Sequence, residues 1–198
     1  MKIQEIKQIY SDFSSSYDRE VKRDLHYTAY LKLPKLLISH LDSAAPEILD
    51  LGCGTGLSSL LFFKSGWRVT GIDGTRAMIE RAGRLPYRKL ICQDLEKSLR
   101  VKDMSFDAAV MIGVLEYIND PFALLARVRG KLRRGGVFGL TVPQRSSLYS
   151  EAGLRSYYKK EMEPAMMEEG YRIIECERIV GIEEGVRRTY YWNYVLKS

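Results

Sequence analysis

Residues Ile48-Leu49-Asp50-Leu51-Gly52-Cys53-Gly54-Thr55-Gly56 constrain the fold of this chain more than any other stretch. A short apolar run ends in an acid, and glycine then occupies every second position. Ile and Leu in such a run read as a strand buried in a parallel sheet, and Gly52, Gly54 and Gly56 punctuate its end. Glycines there allow a sharp turn and let a ligand lie against bare main chain. Leu57 to Lys64 reads as the following helix, so a ligand is expected over the carboxyl end of the first strand.

Two common glycine fingerprints fail. The dinucleotide pattern needs glycine at the first, third and sixth loop positions, and counting from Gly52 the sixth is Leu57. The phosphate loop fails because no Gly-Lys-Ser/Thr follows. The segment resembles motif I of the class I S-adenosylmethionine-dependent methyltransferases, an acid followed by Gly-x-Gly-x-Gly. Later segments resemble the same family in order, and the whole is similar to its small-molecule, ubiquinone/menaquinone-methyltransferase-like group. Arg68-Val69-Thr70-Gly71-Ile72-Asp73 reads as a second strand ending in an acid. Asp73 falls within the spacing of about 20 residues at which such an acid reaches ribose hydroxyls, and a carboxylate can accept both hydrogen bonds of a vicinal diol. Leu90-Ile91-Cys92-Gln93-Asp94-Leu95 reads as a third strand with an acid at its end.

The fourth strand, Phe106 to Gly113, is followed by Val114-Leu115-Glu116-Tyr117-Ile118-Asn119-Asp120-Pro121. This resembles the family's Leu-Glu-His and Ile-x-Asp-Pro segment, with Tyr117 where histidine is common. The turn Leu132-Arg133-Arg134-Gly135-Gly136 resembles Leu-x-Pro-Gly-Gly, with Arg134 in place of proline, and leads to a fifth strand, Val137 to Pro143. Tyr171 to Val180 alternates like a strand and Arg188 to Leu196 supplies the last. Helices are predicted near 28–41, 57–65, 75–83 and 121–132, and from Ser156 to Gly170 despite Pro164. The resemblance implies a Rossmann-like, doubly wound sheet of seven strands, mostly parallel with an antiparallel C-terminal strand. Residues 1–198 read as one domain, a helical segment over 1–44 covering the donor site and an α/β core over 46–198.

The resemblance implies S-adenosylmethionine as donor, S-adenosylhomocysteine as product, and a donor site built from Asp50, Gly52, Cys53, Gly54, Gly56, Asp73, Gly74, Thr75, Asp94, Leu95, Ile112 and Gly113. Asp94 would bond the adenine amino group, with Gly74 and Thr75 bordering the ring. Tyr10-Ser11-Asp12-Phe13-Ser14-Ser15-Ser16-Tyr17-Asp18 resembles the family's N-terminal Tyr-Asp signature, which implies that Tyr17 bonds the methionyl carboxylate. Methyl transfer depends mainly on holding both reactants at near-attack distance, worth up to about 7–11 kcal/mol. A base helps where the nucleophile is a hydroxyl or acidic carbon. The candidates are His26, Tyr17, Glu116 and Tyr117, and residue type does not choose among them. The acceptor is expected to be a small molecule, methylated at oxygen or carbon. The tyrosines of the long stretch from Pro143 to Lys160 would suit an aromatic one.

Charge and cysteine usage bound the remaining readings. Net charge is +6, but the basic pairs scatter along the chain, which is the pattern of a solvated surface. An RNA methyltransferase therefore stands as the alternative, although the chain lacks Asp/Asn-Pro-Pro-aromatic after the fourth strand and a Pro-Cys or Thr-Cys nucleophile. A second alternative, an S-adenosylmethionine-binding regulatory partner without catalysis, conflicts with the intact glycine loop and Asp73. Cys53, Cys92 and Cys176 are isolated, have no metal-ligand spacing, and read as buried, reduced thiols of a cytoplasmic protein. No metal site is expected, and no apolar run reaches the ~18 residues of a membrane span. A monomer or homodimer is expected.

Overall fold

The computed structural model describes residues 3–24, 27–184 and 187–198. The first helix, α1 (Ile3–Phe13), is followed by one turn, α2 (Tyr17–Arg19), a π-helical turn over Glu20–Asp24, and α3 (Ala29–Ile38). The predicted helical segment is thus four elements, and α3 keeps Pro34 inside it. A ladder of alternating elements follows: β1 (Glu47–Leu51), α4 (Leu60–Lys64), β2 (Arg68–Asp73), α5 (Arg76–Ala82), β3 (Lys89–Cys92) and β4 (Phe106–Met111). It continues through α6 (Pro121–Lys131), β5 (Leu132–Pro143), α7 (Ser147–Glu151), α8 (Lys159–Glu168), β6 (Arg172–Glu184) and β7 (Arg187–Lys197).

The sheet runs β3-β2-β1-β4-β5-β7-β6. All pairings from β3 to β5 are parallel, while β7 lies antiparallel to both β5 and β6. This is the mostly parallel seven-stranded sheet with a reversed C-terminal strand. The order reverses at β1, whose neighbours β2 and β4 carry the chain outward in opposite directions, and a crevice opens at the carboxyl ends there.

Strand alternation builds the core. Leu49 and Leu51 of β1 join Met111, Leu125, Phe138 and Met162 on one face, while Ile48 joins Leu33, Phe62, Val69 and Val195 on the other. Each such side chain contributes about 1.5–3 kcal/mol by burial. The cysteines differ from expectation: Cys53 is buried, but Cys92 and Cys176 are only half-buried, and all three are free thiols.

Three further boundaries depart from the sequence reading. β3 stops at Cys92, so Asp94 sits two residues beyond the strand, where its Oδ1 accepts the Glu96 N–H at 2.9 Å. β5 begins at Leu132 and absorbs the predicted turn, with a register shift against β4 and Gly135 in the left-handed region at φ 76°. The last helix begins at Lys159, and the preceding stretch is not a plain loop. It holds α7, capped by the Ser146 hydroxyl on the Leu148 N–H, and a bridge between Gln144 and Tyr157. No helix among the described residues is long and apolar enough to cross a membrane.

Candidate functional site

A cleft lies over the carboxyl ends of β1, β2 and β4, roofed by α1. Glycines 52 and 54 floor it with φ of 70° and 52°. A Cβ at Gly52 would fall 2.2 Å from the Val114 Cγ2, so only glycine permits this approach of β1 to the β4 turn. A Cβ at Gly54 would meet nothing nearer than the Tyr17 ring at 4.0 Å. Main chain there faces open cleft, a cradle that a side chain would fill.

Asp73 ends β2 at the cleft wall. Its Oδ2 accepts the Gly54 N–H at 2.9 Å and its Oδ1 the Thr75 N–H at 2.8 Å. Each oxygen keeps a further lone pair. Burial pushes this carboxyl up, opposed by those two backbone N–H groups and by the Lys7 charge. Gly74, Thr75, Asp94, Leu95, Ile112, Gly113, Tyr17 and Tyr117 complete the cleft with Gly52, Gly54 and Asp73. These positions lie far apart in the chain, and the parallel strands bring them together.

Three expected members are not on the lining. Asp50 is 1% exposed, and its Oδ2 accepts hydroxyls of Ser58 at 2.7 Å, Ser59 at 2.6 Å and Tyr87 at 3.0 Å. It follows Leu49 and so turns to the opposite sheet face, where it braces the glycine loop from beneath. Cys53 is buried, and a Cβ at Gly71 would lie 2.9 Å from its sulfur, which places the thiol against β2. Gly56 (φ 99°) packs against Leu85 and Tyr87, where a Cβ would lie 2.4 Å from the Leu85 Cδ1. His26 lies outside the described residues. Ile6, Lys7, Met78, Val114 and Ile118 also line the cleft, although sequence reading did not assign them. Only α1 carried a signal, since Ile6 and Tyr10 share a helical face.

An adjoining cavity of about 290 Å³ shares Ile6, Tyr10, Tyr17, Gly113 and Tyr117 with the cleft. Phe13, Val21, Tyr27, Leu154 and Tyr191 extend its wall, and Glu116 is its one carboxylate among the described residues. The Tyr191 hydroxyl donates to Glu116 Oε1 at 2.8 Å. Burial pushes the Glu116 carboxyl up to about 7, against the hydrogen bonds from its own backbone and Tyr191. Burial likewise raises the phenols of Tyr10, Tyr17 and Tyr117, so these stay protonated at neutral pH. No group of three His, Cys, Asp or Glu that could hold a metal occurs among the described residues.

Residues 49–140 match the family described as a methyltransferase domain. The trans-aconitate 2-methyltransferase of Pseudomonas paraeruginosa is 33% identical over 135 residues, covering 59% of this chain and 46% of that protein. The ubiquinone biosynthesis O-methyltransferase of Stutzerimonas stutzeri is 25% identical over 158 residues, covering 75% of this chain and 66% of that protein. The chain thus spans about half to two thirds of the length of these curated relatives. Among solved structures, the Burkholderia thailandensis 1,6-didemethyltoxoflavin-N1-methyltransferase, with bound 1,6-didemethyltoxoflavin and S-adenosylhomocysteine, superposes with a TM-score of 0.73. It is 22% identical and covers all of this chain and 91% of its own. The magnesium protoporphyrin IX methyltransferase of Synechocystis, with bound S-adenosylhomocysteine, gives 0.73 at 16% identity, covering 96% and 98%. At these identities the structural likeness establishes a shared fold.

Proposed function

With residues 49–140 matching the methyltransferase-domain family and lying in a sheet of order β3-β2-β1-β4-β5-β7-β6, we propose that this chain is an S-adenosylmethionine-dependent methyltransferase acting on a small molecule. The observation that carries this reading is Asp73, whose two oxygens face the cleft beside the open backbone of Gly54. Each Asp73 oxygen spends one lone pair on the loop and keeps another for a ribose hydroxyl. Asp94, with one oxygen on the Glu96 N–H, offers the other to the adenine amino group beside Leu95. Gly52 and Gly54 give the methionyl portion bare main chain, and the Tyr17 hydroxyl is within the cleft to bond its carboxylate. Ile112 lines the cleft beside Gly113, which borders the second cavity as well.

The donor would supply a methyl group on a positively charged sulfur, open to in-line displacement. The electron-rich rings of Tyr10, Tyr17 and Tyr117 suit such a cation. The shared wall between cleft and cavity sets donor and acceptor compartments side by side, which is the positioning that methyl transfer needs. A cavity of about 290 Å³ suits a small acceptor. We read residues 1–198 as one such domain, and the three free thiols accord with a cytoplasmic setting.

Calorimetric titration tests the reading. S-adenosylmethionine and S-adenosylhomocysteine should both bind at micromolar concentrations, and NAD should not. Heat from NAD alone, or from none of the three, overturns it.

A further inference from the structure

Burying a carboxylate is costly unless hydrogen bonds or a cation replace its water. Glu116 is 4% exposed and only half satisfied: Oε1 accepts from Tyr191, while Oε2 has no hydrogen-bond partner. The groups that face it are phenols. Tyr191 of β7 and Tyr149 of α7 approach from one side, Tyr10, Tyr17 and Tyr27 from the N-terminal segment, and Tyr117 and Tyr157 from the turns around it. The nearby guanidinium of Arg155 donates instead to Asn119.

A second orphan lies beside it. The Tyr27 hydroxyl is buried without a hydrogen-bond partner, and the Thr141 hydroxyl near it accepts the Gly113 N–H at 2.8 Å. The Tyr27 hydroxyl and the Glu116 carboxyl meet at Gly113: a Cβ placed there would lie 3.4 Å from the Tyr27 hydroxyl and 3.9 Å from Glu116 Oε1, the oxygen that Tyr191 bonds. Gly113 is also the wall shared by the cleft and the cavity. A carboxylate with one oxygen still unpaired and a phenol without a partner thus border the place where the two compartments meet.

Resting on the methyltransferase reading, we propose that the cavity seats an aromatic acceptor bearing a hydroxyl, that Glu116 Oε2 takes the hydroxyl's proton, and that Tyr27 donates to its oxygen. The acceptor's O–H bond breaks, its electron pair stays on oxygen and its proton passes to Oε2. The oxygen's new bond is to the methyl carbon, and the pair of the breaking carbon–sulfur bond returns to sulfur. A hydroxyl offers what the two orphans lack, one donor and free lone pairs, whereas an ammonium group has no lone pair for Tyr27. The carboxyl, raised to about 7 by burial, is a base matched to neutral pH.

Equilibrium binding tests this without turnover. With S-adenosylhomocysteine saturating, 2-naphthol and 2-methoxynaphthalene are titrated by fluorescence at pH 6 and pH 8. The wild-type protein should prefer the naphthol about tenfold at pH 8, with a smaller preference at pH 6, where Glu116 is protonated. Glu116→Gln should bind both probes alike at both pH values. Tyr27→Phe removes a donor that either probe's oxygen can accept from, so it should weaken both probes severalfold while leaving the preference, and it decides the matter if the glutamine variant does not fold. Equal binding of the two probes by the wild type, an unchanged preference in Glu116→Gln, unchanged affinity for both probes in Tyr27→Phe, or tighter binding of 2-naphthylamine overturns the assignment. Failure to bind S-adenosylhomocysteine overturns the methyltransferase reading instead.

Discussion

The Tyr10 hydroxyl donates to the Tyr117 hydroxyl at 2.7 Å, joining residues 107 positions apart. The rings also meet edge to face at 5.6 Å. The contact ties the roof helix α1 to the turn after β4, and so closes the cleft over whatever it holds.

Tyr10→Phe keeps the ring and removes that tie. The loss is expected to be about 1 kcal/mol of stability. Stopped-flow release of S-adenosylhomocysteine should be severalfold faster than in the wild type. An unchanged release rate would show that the roof does not gate the cleft.

Asp73→Ala removes acceptors for the Gly54 and Thr75 N–H groups as well as the proposed ribose partner. Donor affinity should fall by about 3 kcal/mol, more than a hundredfold. Calorimetry checks this, and an affinity equal to wild type would sink the ribose assignment.

Asp50 should behave in the opposite way. Asp50→Ala strands the buried hydroxyls of Ser58 and Ser59 and the half-buried one of Tyr87, at a cost of about 2–4 kcal/mol in urea unfolding. Its effect on donor affinity should be smaller than that of Asp73→Ala, because its carboxylate is not on the cleft lining. The reverse ranking would return Asp50 to the donor site.

Gly52→Ala meets two separate penalties, a clash with Val114 and a φ of 70° that costs an L-residue roughly 1–2 kcal/mol. Adding Val114→Ala should recover the steric part of the melting temperature and leave the backbone part. Full recovery in the double variant would mean that the loop relaxes out of the left-handed region.

The raised carboxyl of Glu116 sets a pH dependence of stability. Its folded value, about 7, exceeds the ordinary 4.5, so between these values the native state holds the proton more often than the unfolded chain. The stabilisation is full below about pH 4.5 and is lost as pH rises through 7, about 3 kcal/mol in all. Glu116→Gln should flatten this slope when urea unfolding is compared at pH 5 and pH 8. Asp50 and Asp73 are also raised by burial and slope the same way, so the difference between the two proteins isolates Glu116.

The alternation of strands and helices, the glycine turn after β1 and the acids ending β2 and following β3 were all legible in the sequence, because periodicity and spacing are local properties. They foretold the sheet. The orientation of Asp50 was not legible, since an acid beside a glycine loop reads the same whether it faces a ligand or three hydroxyls. Glu116 stood in the sequence only as one candidate base among four. Its distinction comes from Tyr191, 75 residues away, and from the tyrosines that exclude water around it. A carboxylate's proton affinity is set by how much solvent it loses and what replaces it, and only the packed tertiary structure decides that.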